Sequence, residues 1–429
     1  MLDIRFIREH ADVIQEVAQQ KRIAISIPDL LVCDEKKREL LQMVEGLRSQ
    51  RNSLSQQISV LVREGKQGEI AGIREQVKGV NEQLTVVEAD LALVEAEFGQ
   101  MMQLVPNVVA PDTPIGESDA DNVEVKRVGD IPEFDYEFLD HVTLGEKHGM
   151  IDIPRGVKVA GTRNYFLKGD GLLLHRAVQQ MTLDYLVERG FTPMDVPLIV
   201  RAEALDGTGF FPLGEDTTFK MYDEGKWLVG TSEVPLVSYY RDEIVDLEEP
   251  IRMAGVSTCF RSEVGSAGKD VRGLYRVHQF AKVEQVLFCE NNPEVSERLL
   301  EEMTQHAEAI LQMLELPYRL VAVCTGDMSQ KTYKQYDIET WMPSRDSYGE
   351  THSSSNLHDF QARRSNIRYR DKEGKLQYCH TLNNTAVASP RILIPLLENH
   401  QQPDGSIYIP KALRPYMGNR EAIIRIVEL

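Results

Sequence analysis

Residues 256–287 read VSTCFRSEVGSAGKDVRGLYRVHQFAKVEQVL. Two runs of strand character, Val256–Glu263 and Tyr275–Phe288, flank a stretch holding Gly265, Gly268 and Gly273, which predicts a long antiparallel hairpin with an extended tip. Side chains along a strand alternate between faces. Arg261 and Glu263 then share one face, and Phe280 and Glu284 form another parity set. If both sets line one side of the sheet, an arginine, two carboxylates and an aromatic ring converge. Buried charges of that kind require partners or a ligand. Lys269 and Arg272 add cations at the tip, placed to close over phosphates. A surface hairpin with a solvated charged face satisfies the same pattern, so this stretch alone leaves both readings open.

Outward from the hairpin, the 429-residue chain exceeds one average core and predicts two domains. A net charge of −19 argues against indiscriminate nucleic-acid binding, so any RNA site must be a local basic patch. No apolar run approaches the roughly 18 residues that a membrane span needs, and the N-terminal MLDIRFIREH lacks an apolar leader core. A cytoplasmic protein with no membrane partner is expected. The five cysteines are scattered and never spaced C-x₂-C, which argues against a disulfide framework and against zinc.

Upstream, Leu40, Val44, Leu47, Arg51, Leu54, Ile58 and Leu61 step by four and three. After a break near Gly65–Gly72, the series Ile73, Val77, Val80, Leu84, Val87, Leu91, Val94, Phe98 and Met101 does the same. That spacing is a heptad seam and predicts an antiparallel hairpin of two long helices. A dimerising or spacer coiled coil is one use for it. An RNA-gripping arm, with Arg48, Arg51, Arg63, Lys66 and Lys78 on phosphates, is the other. Proline, glycine and acidic residues over 106–133 mark a linker.

The C-terminal body holds several polar constellations. Gly171–Gly190 predicts an amphipathic helix stopped by its final glycine, and the strand FTPMDVPLIV after it contains Pro197, which places it at an edge or a bulge. In LVGTSEVP, Thr231 and Glu233 would face the same way on a strand, or the hydroxyl would cap a helix. YGETHSSSN (Tyr348–Asn356) offers hard oxygen ligands at Glu350 and Ser353, which suit Mg²⁺, or forms a serine-rich loop. DFQARRSNIRYR carries Arg363, Arg364, Arg368 and Arg370, which could approach RNA or balance acidic surface. HTLNNTAVASPRILIPLLEN predicts a strand leading into a helix.

FRSE, RGLYRVHQF and KVE together resemble motif 2 of the class II aminoacyl-tRNA synthetases, specifically the bacterial-type seryl family. Residues 171–200 resemble motif 1 and residues 380–399 motif 3, so the likeness spans nearly the whole chain. It implies an α+β fold: an antiparallel sheet flanked by helices in a catalytic domain over 134–429, a linker over 106–133, and a tRNA-binding domain with a coiled-coil arm over 1–105. It implies ATP-dependent ligation of L-serine to tRNA(Ser), and to tRNA(Sec) where present, through seryl-adenylate. The arm would hold the long variable arm of the tRNA, and the enzyme would be a homodimer. Carried over residue by residue, the family's serine site falls on Thr231, Glu233, Arg261, Glu284, Asn383 and Thr385. Its ATP site falls on Arg261, Ser262, Glu263, Arg272, Val277, Phe280, Glu350, Thr351, His352, Ser353 and Arg391, with Mg²⁺ on Glu350 and Ser353. Arg261 and Arg391 would be the catalytic cations. Many family members carry glycines where this chain has Ala388, Ser389 and Pro390. A ligase that loads a carrier protein would lack the arm, and a non-catalytic paralogue would have lost Arg261, Glu284, Glu350 or Arg391, all of which are present.

Overall fold

The computed structural model describes residues 1–222, 224–264 and 272–424. Lys269, Gly265 and Gly268 lie outside the described residues, as do the last five residues of the tail. The chain divides into two compact units, Leu2–Pro106 and a second from Asn107 onward.

In the first unit, helices α1 (Ile27–Arg63) and α2 (Gln67–Leu104) form the hairpin. Ser26 starts α1 by accepting a hydrogen bond from the Asp29 amide (3.2 Å), with Pro28 in the first turn, where its missing N–H costs nothing. Val44, Leu84 and Leu91 pack with Leu40, Leu47 and Val87, so the heptad positions do form the seam. Arg51 sits half-buried in it. At 38 residues α2 spans about 57 Å. Several basic candidates of the arm hold carboxylates at its surface: Arg48 pairs with Glu88 across the hairpin (2.7 Å) and Lys66 with Glu64 (2.8 Å). No helix among the described residues is long and apolar enough to cross a membrane.

The second unit is built on one eight-stranded sheet. Its strands are β1 (Val123–Val128), β2 (Thr192–Asp195), β3 (Ile251–Phe260), β4 (Gln279–Cys289), β5 (Tyr318–Ala322), β6 (Lys334–Met342), β7 (Ser347–Asn356) and β8 (His380–Ser389). They lie in the order β1-β5-β6-β7-β8-β4-β3-β2, antiparallel throughout except for β2 against β3. The stretch expected as a linker thus contributes β1 as an edge strand. The run FTPMDVPLIV is split around Pro197: its first half is edge strand β2, and Ile199–Arg201 joins a separate small sheet. YGETHSSSN is neither loop nor turn; it is the interior strand β7.

Helices α3 (Asp170–Val187), α4 (Glu233–Ser238), α5 (Pro293–Met313), α6 (Phe360–Ser365) and α7 (Leu393–Asn399) complete the parts that position the site. Helix α3 ends as its glycine predicts, with Gly190 at φ +81° and the Phe191 amide returning to Leu186 O at 3.1 Å. The main core joins α3, α5 and α7 to one face of the sheet through Val178, Met181, Met303, Ile310, Leu393, Val283, Leu287, Leu382 and Ile338. Strand period then fixes the other face: with Val283 and Leu287 turned to the core, Phe280, Lys282 and Glu284 must point the opposite way. All five cysteines are buried and unbridged.

Because the arm has no core but its own seam, Leu91→Ala should cost the first unit about 2–4 kcal/mol. Urea unfolding followed by the helical circular-dichroism signal checks this, and a loss well under 1 kcal/mol would mean the seam carries little of the stability.

Candidate active site

The hairpin strands stop short of the predicted ends. The Arg261 amide donates to His278 O (3.0 Å), but the Ser262 amide turns away to Thr217 O (3.1 Å), and Glu263 adopts a left-handed φ of +52°. Arg261, Ser262, Glu263 and Tyr275–His278 therefore form the mouth of a cleft rather than extending the strands, and period 2 does not relate Arg261 to Glu263. The convergence inferred from parity arises nonetheless by a different route. Arg261 lies over the Phe280 ring (5.3 Å), and Glu263 meets Arg276 at 3.5 Å.

The cleft is lined by Arg261, Glu263, Val277, Phe280, Lys282, Glu350, Thr351, Thr385 and Arg391, with Tyr275 and Arg276 among the others. Its floor depends on small partners. Cys259, Ser257 and Gly255 lie opposite Phe280, Lys282 and Glu284 across β3–β4, which leaves room above the strand. At Gly255 an added Cβ would come within 2.7 Å of the Ser232 Cβ, so glycine is what lets α4 approach.

Two β-bulges aim the far wall. In β8 the extra residue is Ala386, so Thr385 pairs with Glu284 on the cleft face while Val387 pairs with Val283 on the core face. In β7 it is Thr351: Glu350 pairs with Glu339 and Ser353 with Asp337. Glu339 and Asp337 are two apart, so Glu350 and Ser353, although three apart, share one face. His352 opposes Ile338 and turns into the core, where burial lowers its pKa to about 4. Arg391 follows β8. It donates through Nε to Tyr275 O (3.0 Å) and through Nη1 to Glu350 O (3.1 Å), and lies over the Tyr275 ring at 4.5 Å.

Beside the cleft lie two buried ion pairs. Lys282 holds Glu284 Oε2 at 2.5 Å, and Thr385 donates to the same oxygen at 3.3 Å. Burial pushes the Glu284 carboxyl up, opposed by Lys282, and the neighbouring Glu233 charge pushes it the same way as burial. Glu233 begins helix α4 rather than lying on a strand, and its amide donates to the Thr231 hydroxyl (3.2 Å). That bond is a local turn one residue before the helix, whose N-cap Ser232 makes no side-chain capping bond, and both Thr231 and Glu233 are buried. Glu233 Oε1 accepts from Lys331 (2.5 Å), Gln361 (2.7 Å) and Asn383 (3.0 Å).

The structure therefore brings together Arg261, Glu263, Val277, Phe280, Glu350, Thr351, Thr385 and Arg391 around the cleft, with Glu284 bonded to Thr385 of its lining and Thr231, Glu233 and Asn383 in a buried hydrogen-bonded cluster. It does not bring in Ser262, whose hydroxyl donates to Asp216 O (3.0 Å), nor His352. Arg272 is largely exposed and paired with Asp140 at 3.1 Å. Sequence reasoning missed Lys282, Lys331, Tyr275 and Arg276. Lys282 could have been found from its parity with Phe280 and Glu284, whereas Lys331 sits in the turn before β6 and carries no positional signal. Of the basic segment, Arg364 is structural: it donates to Asp206 O (3.2 Å) and Phe211 O (2.9 Å), with its pKa lowered to about 10 by burial. His141 is structural too, held by Glu398 at 2.8 Å and accepting from the Leu274 amide at 3.2 Å.

Residues 218–400 match the tRNA synthetase class II core domain (G, H, P, S and T), and residues 1–109 match the seryl-tRNA synthetase N-terminal domain. The chain is 46% identical to the serine–tRNA ligase of Deinococcus radiodurans, covering 99% of each, and 48% identical to that of Caldanaerobacter subterraneus, covering 97% and 98%. The chain belongs to the seryl-tRNA synthetases. A seryl-tRNA synthetase from Pyrococcus horikoshii, solved complexed with ATP, is similar over 100% of both chains with a TM-score of 0.92 and 34% identity. The α+β fold expected from the seryl motifs is the fold found. Within this family member, Pro390 ends β8 and leaves Arg391 in the turn before α7, so the exchange of glycines for Ala388, Ser389 and Pro390 keeps the arginine in the cleft.

The Lys282–Glu284 pair generates a stability prediction. Lys282→Met should lower the unfolding free energy by about 3–5 kcal/mol by stranding a buried carboxylate, and adding Glu284→Gln should recover most of the loss. Chemical denaturation of both variants decides it; equal losses would assign the effect to packing instead of charge.

Proposed function

We propose that the chain ligates L-serine to tRNA in two steps, forming seryl-adenylate and pyrophosphate from serine and ATP and then moving the seryl group to the terminal ribose of tRNA(Ser), and of tRNA(Sec) where one exists. The observation that carries this reading is the cleft lined by Arg261, Phe280, Glu350 and Arg391, whose Lys282 and Thr385 hold the buried Glu284, in a chain of this family.

The attacking serine carboxylate is ionised at neutral pH, so adenylation needs no general base. It needs alignment and charge neutralisation about an α-phosphorus. Arg261 is the group for the α-phosphate and the serine carboxylate. Phe280 offers a face to adenine, Glu263 reads the ring edge, and Val277 and Thr351 shape the wall. Arg391, braced by Tyr275, takes the distal phosphate. Arg272 would join it on leaving Asp140. Serine falls to Thr231, Glu233, Glu284, Asn383 and Thr385. Ser262 and His352 then support backbone positions instead of touching the nucleotide.

The donor set fits Mg²⁺. Glu350 is half-exposed, Ser353 shares its face, and neighbouring Asp337 is a buried carboxyl pushed well up by burial and then by the Glu350 charge. Among the described residues no three His, Cys, Asp or Glu groups cluster as a metal cage. Glu350 and Ser353 would therefore hold an ion whose remaining ligands are phosphate and water. Bound there, Mg²⁺ would supply positive charge to offset that of the phosphates.

A homodimer through α3 and β2 belongs to the same reading, since β2 is an edge strand and Leu172 and Leu173 are exposed on α3. Selection of serine rests on hydrogen bonding: alanine or glycine would leave buried pocket groups unpaired.

Amino-acid-dependent ATP–pyrophosphate exchange without tRNA, run over all twenty amino acids, is expected to respond to serine alone. A response to a different amino acid would overturn the specificity, and silence throughout would favour the non-catalytic paralogue. Deleting residues 30–102 is expected to preserve that exchange and abolish transfer to tRNA; unimpaired charging would remove the arm from the function.

A further inference from the structure

Lys331 is buried, lies in the turn before β6, and is part of no motif that identifies the family. Its ammonium lies over the Phe210 ring at 3.8 Å and donates to Glu233 Oε1 at 2.5 Å. Gln361 from α6 and Asn383 from β8 donate to that same oxygen. Gln361 is itself fixed, donating to Thr208 O (2.8 Å) and accepting from the Thr381 hydroxyl (2.8 Å). Three donors from three elements therefore lock the carboxylate through one oxygen, Oε1. Burying an ammonium costs several kcal/mol even when it is paired, and burial lowers the Lys331 pKa against the pull of Glu233. A neutral donor such as glutamine would satisfy the oxygen without that cost.

The cost has a counterpart in selectivity. A carboxylate held by a cation accepts hydrogen bonds and donates none. Lys282 holds Glu284 and Lys331 holds Glu233, one cation for each carboxylate. An acceptor-only pair demands donors from its ligand. Serine supplies a hydroxyl hydrogen beyond its ammonium, and alanine does not. We propose that Lys331 is a positioning residue that determines amino-acid selection, holding Glu233 as an oriented acceptor so that the pocket prefers a small amino acid bearing a hydroxyl. This rests on the serine-activating function proposed above and names a residue that sets its specificity.

The test is ATP–pyrophosphate exchange by the full-length protein with serine and with alanine, comparing wild type with Lys331→Met and Lys331→Arg. Lys331→Met is expected to raise the serine KM about tenfold or more while the ATP KM stays within about twofold, and to lower the serine-to-alanine ratio of kcat/KM by about tenfold. Lys331→Arg, which keeps the charge, should retain that ratio within about threefold of wild type. If Lys331→Met does not accumulate folded, Lys331→Gln keeps a donor while removing the charge and is read in the same way. A variant that loses serine and alanine activity in proportion, leaving the ratio unchanged, would overturn the inference and make Lys331 a structural cation. Wild type that fails to respond to serine would overturn the proposed function and this inference together, whereas a normal serine response with an unchanged ratio overturns this inference alone.

Discussion

Burying carboxylates beside one another is the constraint on which the pocket depends. Glu233 lies close enough for its charge to push on Glu284, and water is largely excluded from both. Neither could be held there without a cation, and each has one within 2.5 Å. The lysines arrive from different parts of the chain, one along β4 itself and one from the turn before β6. The pocket is thus where separate segments must meet in register, and their registry is enforced by charge as well as by packing.

The opposite face of the sheet supplies the rigidity. Helices α3, α5 and α7 seat Val283, Leu287 and Leu382, and strand alternation then determines where Lys282, Glu284 and Asn383 point. The bulges at Ala386 and Thr351 are local exceptions to that alternation. Each lets a strand keep its apolar residues in the core after delivering polar residues to the cleft. In a regular strand without the bulge, Glu350 and Ser353, three apart, would fall on opposite faces.

Much of this was legible in the chain. The heptad steps specified the helical hairpin, and the alternation of Phe280 and Glu284 placed both on one face. What escaped was set by long-range partners. The strand ends at Phe260 and Gln279 depend on Thr217, which draws the Ser262 amide away, and no local pattern announces that contact. Thr231 and Glu233 could be read on a strand or at a helix start; the segment is a helix start, seated where Gly255 permits close approach. The turn at His352 into the core follows from a bulge, and serine, threonine and histidine in a row give no notice of one. Lys331 was invisible because its partner lies 98 positions away.

The strand order carries a consequence for the order of events during synthesis. The arm's contacts are made within the first 106 residues, so it can close while the rest of the chain is still being translated. The sheet has no such freedom. Strand β4 is sandwiched between β3, its neighbour in the chain, and β8, which ends at Ser389 and must span about a hundred residues to reach it. Until β8 emerges from the ribosome, β4 has one open edge and Glu284 lacks Thr385 beside it. Long-range pairing of this kind is slow to form and exposes strand edges meanwhile. The nascent protein therefore passes through a stage in which the arm can be folded while the catalytic sheet is an unfinished edge, the interval in which a chaperone has most to protect.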